Sequence, residues 1–273
     1  MFAQAPARAG VEVIVVDDGS TDATVPSVRA QFPSVRIVEK AHTGADNSRN
    51  HGIDAARGEI VAFIDSDCTA APHWLASLER ALVDENRPIV GGRIVHPGGL
   101  WQRMVGVSDF GEFQGLARKE VSNIPTCNMG VRREWLADTR FDPGLRVGGD
   151  VVFCSALRKR GVRLQYDPEV QVSHHPRVDA RHFFARSLSY GAGLVSTRHR
   201  DPSLPFARLV LAGVAGVAVL TLGRTLLDWY RLVRYRRELG IGIAQLPLGA
   251  GILSLKRVVS LVGAIRAAAS TRS

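Results

Sequence analysis

The feature that most limits the fold is a short run near the N-terminus, "VEVIVVDDGSTD", residues 11–22. Val11, Val13, Ile14, Val15 and Val16 favour a strand buried on both faces, and Asp17 and Asp18 close it abruptly. A second run, "EIVAFIDSD" (59–67), also ends in acids. "VRIVE" (35–39) and "PIVGGRIV" (88–95) are further strands. Between them, helices are expected at 20–32, 47–56 and 72–84. The first would take Ser20 or Thr21 as N-cap with Asp22 in its first turn, and Pro26 weakens it beyond that turn. Pro72 suits the start of the third. Strands alternating with helices imply an α/β sheet with both faces covered.

Beyond residue 100 the signals thin out. Residues 100–123 are polar and take no assignment, and "TCNMGVRREWL" (126–136) is a strand or loop running into a helix. "GGDVVFCSALRKRG" (148–161) is a helix, and "VRLQYDPEVQVSHH" (162–175) contains two short strands broken at Asp167-Pro168. At 273 residues the chain is long enough for a sizeable core. Cys68, Cys127 and Cys154 form no zinc or C-x-x-C spacing, which favours reduced thiols.

Charge divides the chain. Residues 1–150 carry 16 Lys/Arg against 20 Asp/Glu, and residues 151–273 carry 19 against 6. The bases of the second part flank apolar runs. Fifteen uncharged residues separate Arg208 from Arg224, and 17 separate Glu238 from Lys256. That pattern favours a membrane surface over nucleic acid, for which no recognition module is present. A helix spanning 204–227 would put Arg231, Arg234, Arg236 and Arg237 of loop 228–238 outside, against the positive-inside tendency. The expectation is therefore membrane association through 204–265 as a shallow or re-entrant helical hairpin on the cytoplasmic leaflet, with two ordinary spans as the alternative.

If residues 59–67 stay extended, Asp65 and Asp67 project to one face. Paired carboxylates at the carboxyl end of a strand in an α/β sheet suit Mg2+ or Mn2+ together with substrate phosphates. Asp-Gly and Asp-Ser are also ordinary turn formers.

Together "VIVVDDGSTD" (13–22), "SRNHGIDAARGEIVAFIDSD" (48–67), "TCNMGVRRE" (126–134), "GGDVVFCSALRKRG" (148–161) and "VSHHPR" (172–177) resemble family 2 glycosyltransferases. The resemblance covers roughly residues 11–195. It implies a GT-A fold, a Rossmann-like mixed sheet with flanking helices, over residues 1–196, and leaves 197–273 as a membrane-associated helical tail. It also implies inverting transfer of a sugar from a nucleotide-diphospho-sugar to a hydroxyl acceptor, lipid-linked or a cell-envelope glycan. By position, Asp17 and Asp18 would lie at the nucleotide, with Arg49 beside it. Asp65 and Asp67 would be the D-x-D pair, Asp67 the direct metal ligand and Asp65 nearer the sugar, and His174 or His175 would touch metal or diphosphate. Asp150 would be the general base. Asn128 and Gly149 would be acceptor-side, Gly149 replacing a glutamate common in the family.

Residues 1–10, "MFAQAPARAG", resemble neither the strand nor the Pro-x-Tyr/Phe-Asn-like loop that usually comes first in the family. The expectation is an N-terminally incomplete domain with an unpaired strand edge at residues 11–16, binding nucleotide sugar poorly. The alternatives are a degenerate, inactive family member and a phospho-receiver-like signalling domain with Asp65 as phosphoacceptor.

Overall fold

The computed structural model of the chain describes residues 10–270. The expected alternation is there: β1 (Ile14–Asp17), α1 (Thr24–Gln31), β2 (Arg36–Glu39), α2 (Ala45–Ala55) and β3 (Ile60–Phe63). Helix α1 starts later than expected. Ser20 N–H goes to Asp17 and Ala23 occupies the N-cap, while Asp22 Oδ1 accepts from Thr24 N at 3.0 Å. Pro26 then falls in the first turn, where no intrahelical N–H is needed.

Strand β4 (Cys68–Ala70) is followed by α3 (Trp74–Glu79), which widens into a π turn over Arg80–Asp84, and then by β5 (Ile89–Val95). The segment without assignment contains α4 (Leu100–Ser108) and β6 (Lys119–Glu120). Strand β7 (Met129–Arg132), α5 (Gly149–Lys159), β8 (Gln165–His174) and α6 (Ala180–Arg200) complete this part. The tail forms α7 (Ala207–Leu211), α8 (Val214–Arg234) and α9 (Leu246–Ser270).

Six strands form one mixed sheet, ordered β3-β7-β5-β8-β4 with β6 beside β8. Pairing is antiparallel except between β5 and β8. A phospho-receiver is built on a flavodoxin-like parallel sheet, so this topology excludes that alternative. Strands β1 and β2 form a separate parallel pair. Among the described residues, β1 hydrogen-bonds to no strand but β2, and Ile14, Val15 and Val16 are only part-buried. Among the described residues, the edge expected at residues 11–16 therefore has β2 as its one strand partner. Residues 1–9 of the N-terminal segment lie outside the described residues.

The break expected at Asp167-Pro168 is instead a bulge within one strand. The register of β8 against β5 jumps between Gly92 and Arg93, from Asp167 to Gln171, so Pro168 faces no ladder bond. A Cβ on Gly92 would lie 1.6 Å from Val170 O, so only glycine allows that approach. Asp167 is fully buried at the bulge and is met by Arg80 at 2.8 Å, Arg118 at 3.1 Å and Arg87 at 3.6 Å.

The tail is not a separate unit. Helix α6 runs through the boundary set at residues 196/197, and Leu232, Leu239, Ile241 and Leu253 share a core with Ile53, Val90 and Phe153. The loop expected over 228–238 is helical as far as Arg234. Helix α9 belongs to the one helical stretch, Ile243–Ser270, that is long and apolar enough among the described residues to cross a membrane by length and composition.

In Asp167→Ala the three arginines, all partly exposed, keep Glu85 as a partner, and Arg80 keeps Glu169 as well. The variant is expected to lose about 1–3 kcal/mol in urea unfolding, the cost of the charge-assisted bonds lost at the bulge. Asp167 lies seven residues from His174 along β8, roughly 20 Å, so the contact between His174 and Asp67 should be retained.

Candidate active site

The acids gather at the carboxyl ends of β1 and β3, but they point in different directions. Asp17 is buried, and its Oδ2 accepts from Gly19 N and Ser20 N at 3.2 and 3.1 Å. Gly19 has φ +83°, which closes the turn tightly. Asp17 therefore shapes the loop.

Asp18 reaches across to the β2–α2 connection. Thr43 N and Gly44 N donate to its two oxygens at 2.9 Å each, and Lys40 Nζ pairs with Oδ1. His42 Nδ1 lies 2.9 Å from Oδ2. The Lys40 ammonium first, and then these backbone donors, hold Asp18 well below the usual carboxylate range.

The extended geometry expected for 59–67 is not kept. Strand β3 stops at Phe63, and Cys68 N donates to Asp65 O at 3.0 Å, closing a turn through Ser66. The two carboxylates diverge as a result. Asp65 Oδ1 lies 3.5 Å from Arg49 Nη2. Asp67 Oδ2 lies 3.2 Å from His174 Nε2, and His175 N donates to Asp67 O at 2.7 Å. His174 is buried, with Nδ1 3.0 Å from Nε2 of His96, itself buried. His174 keeps the Asp67 carboxyl below its ordinary range, and the charge of Arg186 on α6 acts in the same sense. One carboxylate oxygen of Asp67, Cys68 Sγ and one ring nitrogen of His174 lie within 4.8 Å of one another. A carboxylate and an imidazole converging in this way fit a divalent cation, with oxygen ligands needed to complete its coordination.

Arg49 joins this edge to a buried acid that the sequence reading missed. Its Nη1 donates to Asp46 Oδ1 at 2.7 Å, and its guanidinium lies 5.7 Å from the centre of the Phe141 ring. Asp46 is buried in the first turn of α2, and desolvation raises its pKa against the pull of Arg49. It fills the space beside Gly149, where a Cβ would stand 1.6 Å from Asp46 Oδ2. A carboxylate from α2 thus occupies the position that a side chain at 149 would take. An acid on one side of the chain and a glycine 103 positions later gave no sequence signal for this exchange.

Asp150 sits in the first turn of α5, where its Oδ1 accepts from Val151 N at 3.0 Å. Burial pushes its carboxyl up to about 6, while Arg49 pulls down and the charges of Asp46 and Asp65 push up. Asp46, Arg49, Asp65 and Asp150 therefore form one electrostatic group.

Asn128 does not join it. It is fully buried, accepts from Trp74 Nε1 at 2.8 Å, and donates to Arg93 O and Val170 O at 3.1 and 2.8 Å. Both amide protons and one lone pair of the oxygen are taken up by α3, β5 and β8, and no part of the residue is exposed to an acceptor. The expectation for Asn128 is corrected to a structural tie across the β8 bulge.

A sequence model of the family Glycosyl transferase family 2 matches residues 3–140, half the chain. The pre-mycofactocin glycosyltransferase of Mycobacterium tuberculosis is 32% identical over 225 residues, covering 77% of this chain and 47% of that protein. The succinoglycan biosynthesis protein ExoO of Rhizobium meliloti is 32% identical over 185 residues, covering 61% of this chain and 53% of its own. This chain spans about half the length of these relatives. The mannosyltransferase PcManGT of Pyrobaculum calidifontis, solved with GDP-Man and Mn2+, superposes with a TM-score of 0.61 at 20% identity, covering 97% of this chain and 80% of that one. At that identity the likeness speaks for the fold, the GT-A arrangement of a mixed sheet with flanking helices. With the family match reaching from the first acid-ended strand through β7, this chain belongs to glycosyltransferase family 2.

Proposed function

We propose that this protein transfers a sugar from a nucleoside-diphosphate donor to a hydroxyl acceptor by one in-line displacement that inverts the anomeric carbon. The observation that carries this reading is the split of the Asp65-Ser66-Asp67 turn. Asp67 meets the imidazole of His174, while Asp65 meets a guanidinium shared with the buried acid beside Asp150. Asp67 and His174 would hold a divalent cation, Mg2+ or Mn2+, which when bound would supply positive charge for the departing diphosphate. Arg186 adds a fixed positive charge on the same side. Asp65 and Arg49 orient the donor sugar, and Asp18 fixes the loop against which the nucleoside rests. Asp150 takes the proton of the acceptor hydroxyl as it attacks C1.

The acceptor is lipid-linked or a growing envelope glycan, worked on at the cytoplasmic face of the membrane. The apolar tail helices and the likeness to a succinoglycan biosynthesis protein support this.

Because among the described residues no strand pairing joins the sheet of Asp18 to that of Asp65 and Asp67, binding of the free donor should be weak. Saturation-transfer NMR of the 1–273 chain with GDP- and UDP-sugars is expected to detect millimolar binding that requires Mn2+ and disappears in Asp67→Asn. Absence of any metal-dependent signal from either nucleotide would overturn the reading.

The base accepts a proton only when ionised, so activity should be flat above about pH 6. Below that pH, kcat/KM should fall about tenfold per unit. Asp150→Asn should lower kcat by roughly 10²–10⁴ with little change in donor affinity.

Gly149→Ala should force Asp46 aside at a cost of about 1–3 kcal/mol, and with it Arg49. The double variant Asp46→Ala/Gly149→Ala should be more stable than the sum of the two single changes predicts. Thermal melts of the four proteins, with donor titration, measure both effects.

A further inference from the structure

The middle of α9 carries two charges that its apolar composition hides. Lys256 and Arg257 fall at the centre of the Ile243–Ser270 stretch and are 1% and 7% exposed. Lys256 Nζ donates to Ser108 Oγ and to Asp109, both at the end of α4. It also lies 5.1 Å from the centre of the Phe183 ring on α6. Arg257 makes a two-pronged pair with Asp228 of α8, at 2.6 and 2.8 Å, and Asp228 is fully buried. Helix α4 belongs to the main core through Met104, Val105 and Val107. If α9 crossed a bilayer, residues 256–257 would lie at the hydrocarbon midplane. Either these pairs would break, or the sheet-bearing body would have to follow them into the lipid.

The outward faces of the same helices are apolar. On α8, Val219, Leu222, Leu226, Tyr230 and Val233 recur at three- and four-residue spacing and are each more than half exposed. On α9, Leu248, Leu255, Val258 and Val262 form a matching stripe. Trp229, part-exposed, joins the two, its Nε1 3.1 Å from Ser254 Oγ and 3.3 Å from Ala250 O. Among the described residues, 15 of the 19 large apolar side chains left exposed follow residue 205. Exposed Arg234, Arg237 and Arg266 flank these stripes. The only acids between residues 204 and 270 are the buried, paired Asp228 and the part-buried Glu238.

We propose that α8 and α9 lie flat in a single leaflet of an anionic bilayer, apolar stripes down and arginines among the headgroup phosphates, and that the buried Lys256–Asp109 and Arg257–Asp228 pairs keep α9 from spanning. This rests on the membrane reading above and states its geometry. Interfacial helices with apolar stripes and basic flanks bind in this way, and each basic residue at the surface adds about 1 kcal/mol, near a fivefold gain in affinity.

The test uses the full chain with preformed vesicles. Flotation should recover it with phosphatidylcholine vesicles containing 30% phosphatidylglycerol, at least tenfold more than with phosphatidylcholine alone. The double change Leu226→Glu/Val258→Glu should abolish recovery while leaving the thermal melt unchanged. In a Cys68→Ser background, single cysteines at Gly242 and Ser270 should both react with a membrane-impermeant maleimide added outside. Protection of one of the two shows a span and overturns this inference while the membrane reading stands. Failure to float on either vesicle, with a concentration-dependent dimer in sedimentation, assigns the stripe to a second copy and overturns both.

Discussion

The acid edge depends on how β8 ends. Its last residue, His174, is paired antiparallel with Cys68 on β4 and sits against Asp67, while the next backbone N–H, on His175, donates to Asp67 O. These contacts fasten the β3–β4 turn to the sheet's most connected strand. A misregister of one residue in β8 would turn His174 to the other face and leave Asp67 without its imidazole. The register is set upstream, where the bulge opposite Gly92 takes in Pro168. There the Asp167 carboxylate gathers three arginines and Asn128 ties Val170 to α3 and β5. Buried polar groups tied across several elements favour one arrangement, because a slip breaks several of these contacts at once.

The legible parts of this fold are those written in local pattern. Apolar runs ending in acids located β1 and β3, and the short β-branched runs at 35–39 and 88–95 located β2 and β5. What escaped depends on partners far away in sequence. Residues 59–67 read as one strand because the apolar run leads straight into the acids, and only the Asp65–Cys68 turn, next to the pairing of β4 with β8, breaks it. Segment 228–238 read as a charged loop because Asp228 has no visible partner until Arg257 comes to meet it. Asn128 has the look of a site residue in a motif, and burial alone shows it to be a tie. Asp46 was passed over because nothing in a single sequence links it to the empty position at Gly149.

The two sheets divide the labour of the site. Asp18 belongs to the β1–β2 pair and its loop, whereas Asp65, Asp67 and His174 belong to the six-stranded sheet. Among the described residues no strand pairing joins β1 to β3, so side chains must carry the coupling. Glu12 Oε1 accepts from Gly58 N at 3.1 Å just before β3, and α2 packs on β1 while sending Arg49 to Asp65. Helix α2 is therefore the mechanical link between the halves. Its buried Asp46 keeps Arg49 aimed at the larger sheet, and an ion pair of this kind holds direction better than it adds stability.

The charge asymmetry of the chain follows from the same division. The acid-rich first half concentrates carboxylates at one edge, and there burial raises the pKa of Asp46 and of Asp150, with neighbouring acids adding to the rise. The basic second half distributes its charge in two ways. Lys256 and Arg257 turn inward and fasten the tail to α4 and α8, while Arg234, Arg237 and Arg266 turn outward beside apolar stripes. Composition alone cannot separate these uses, since a buried, paired lysine and an exposed one count equally in a hydropathy average. An apolar helix whose central charges are neutralised by its own protein body is anchored to that body, and its remaining apolar face is free for a surface but not for a crossing.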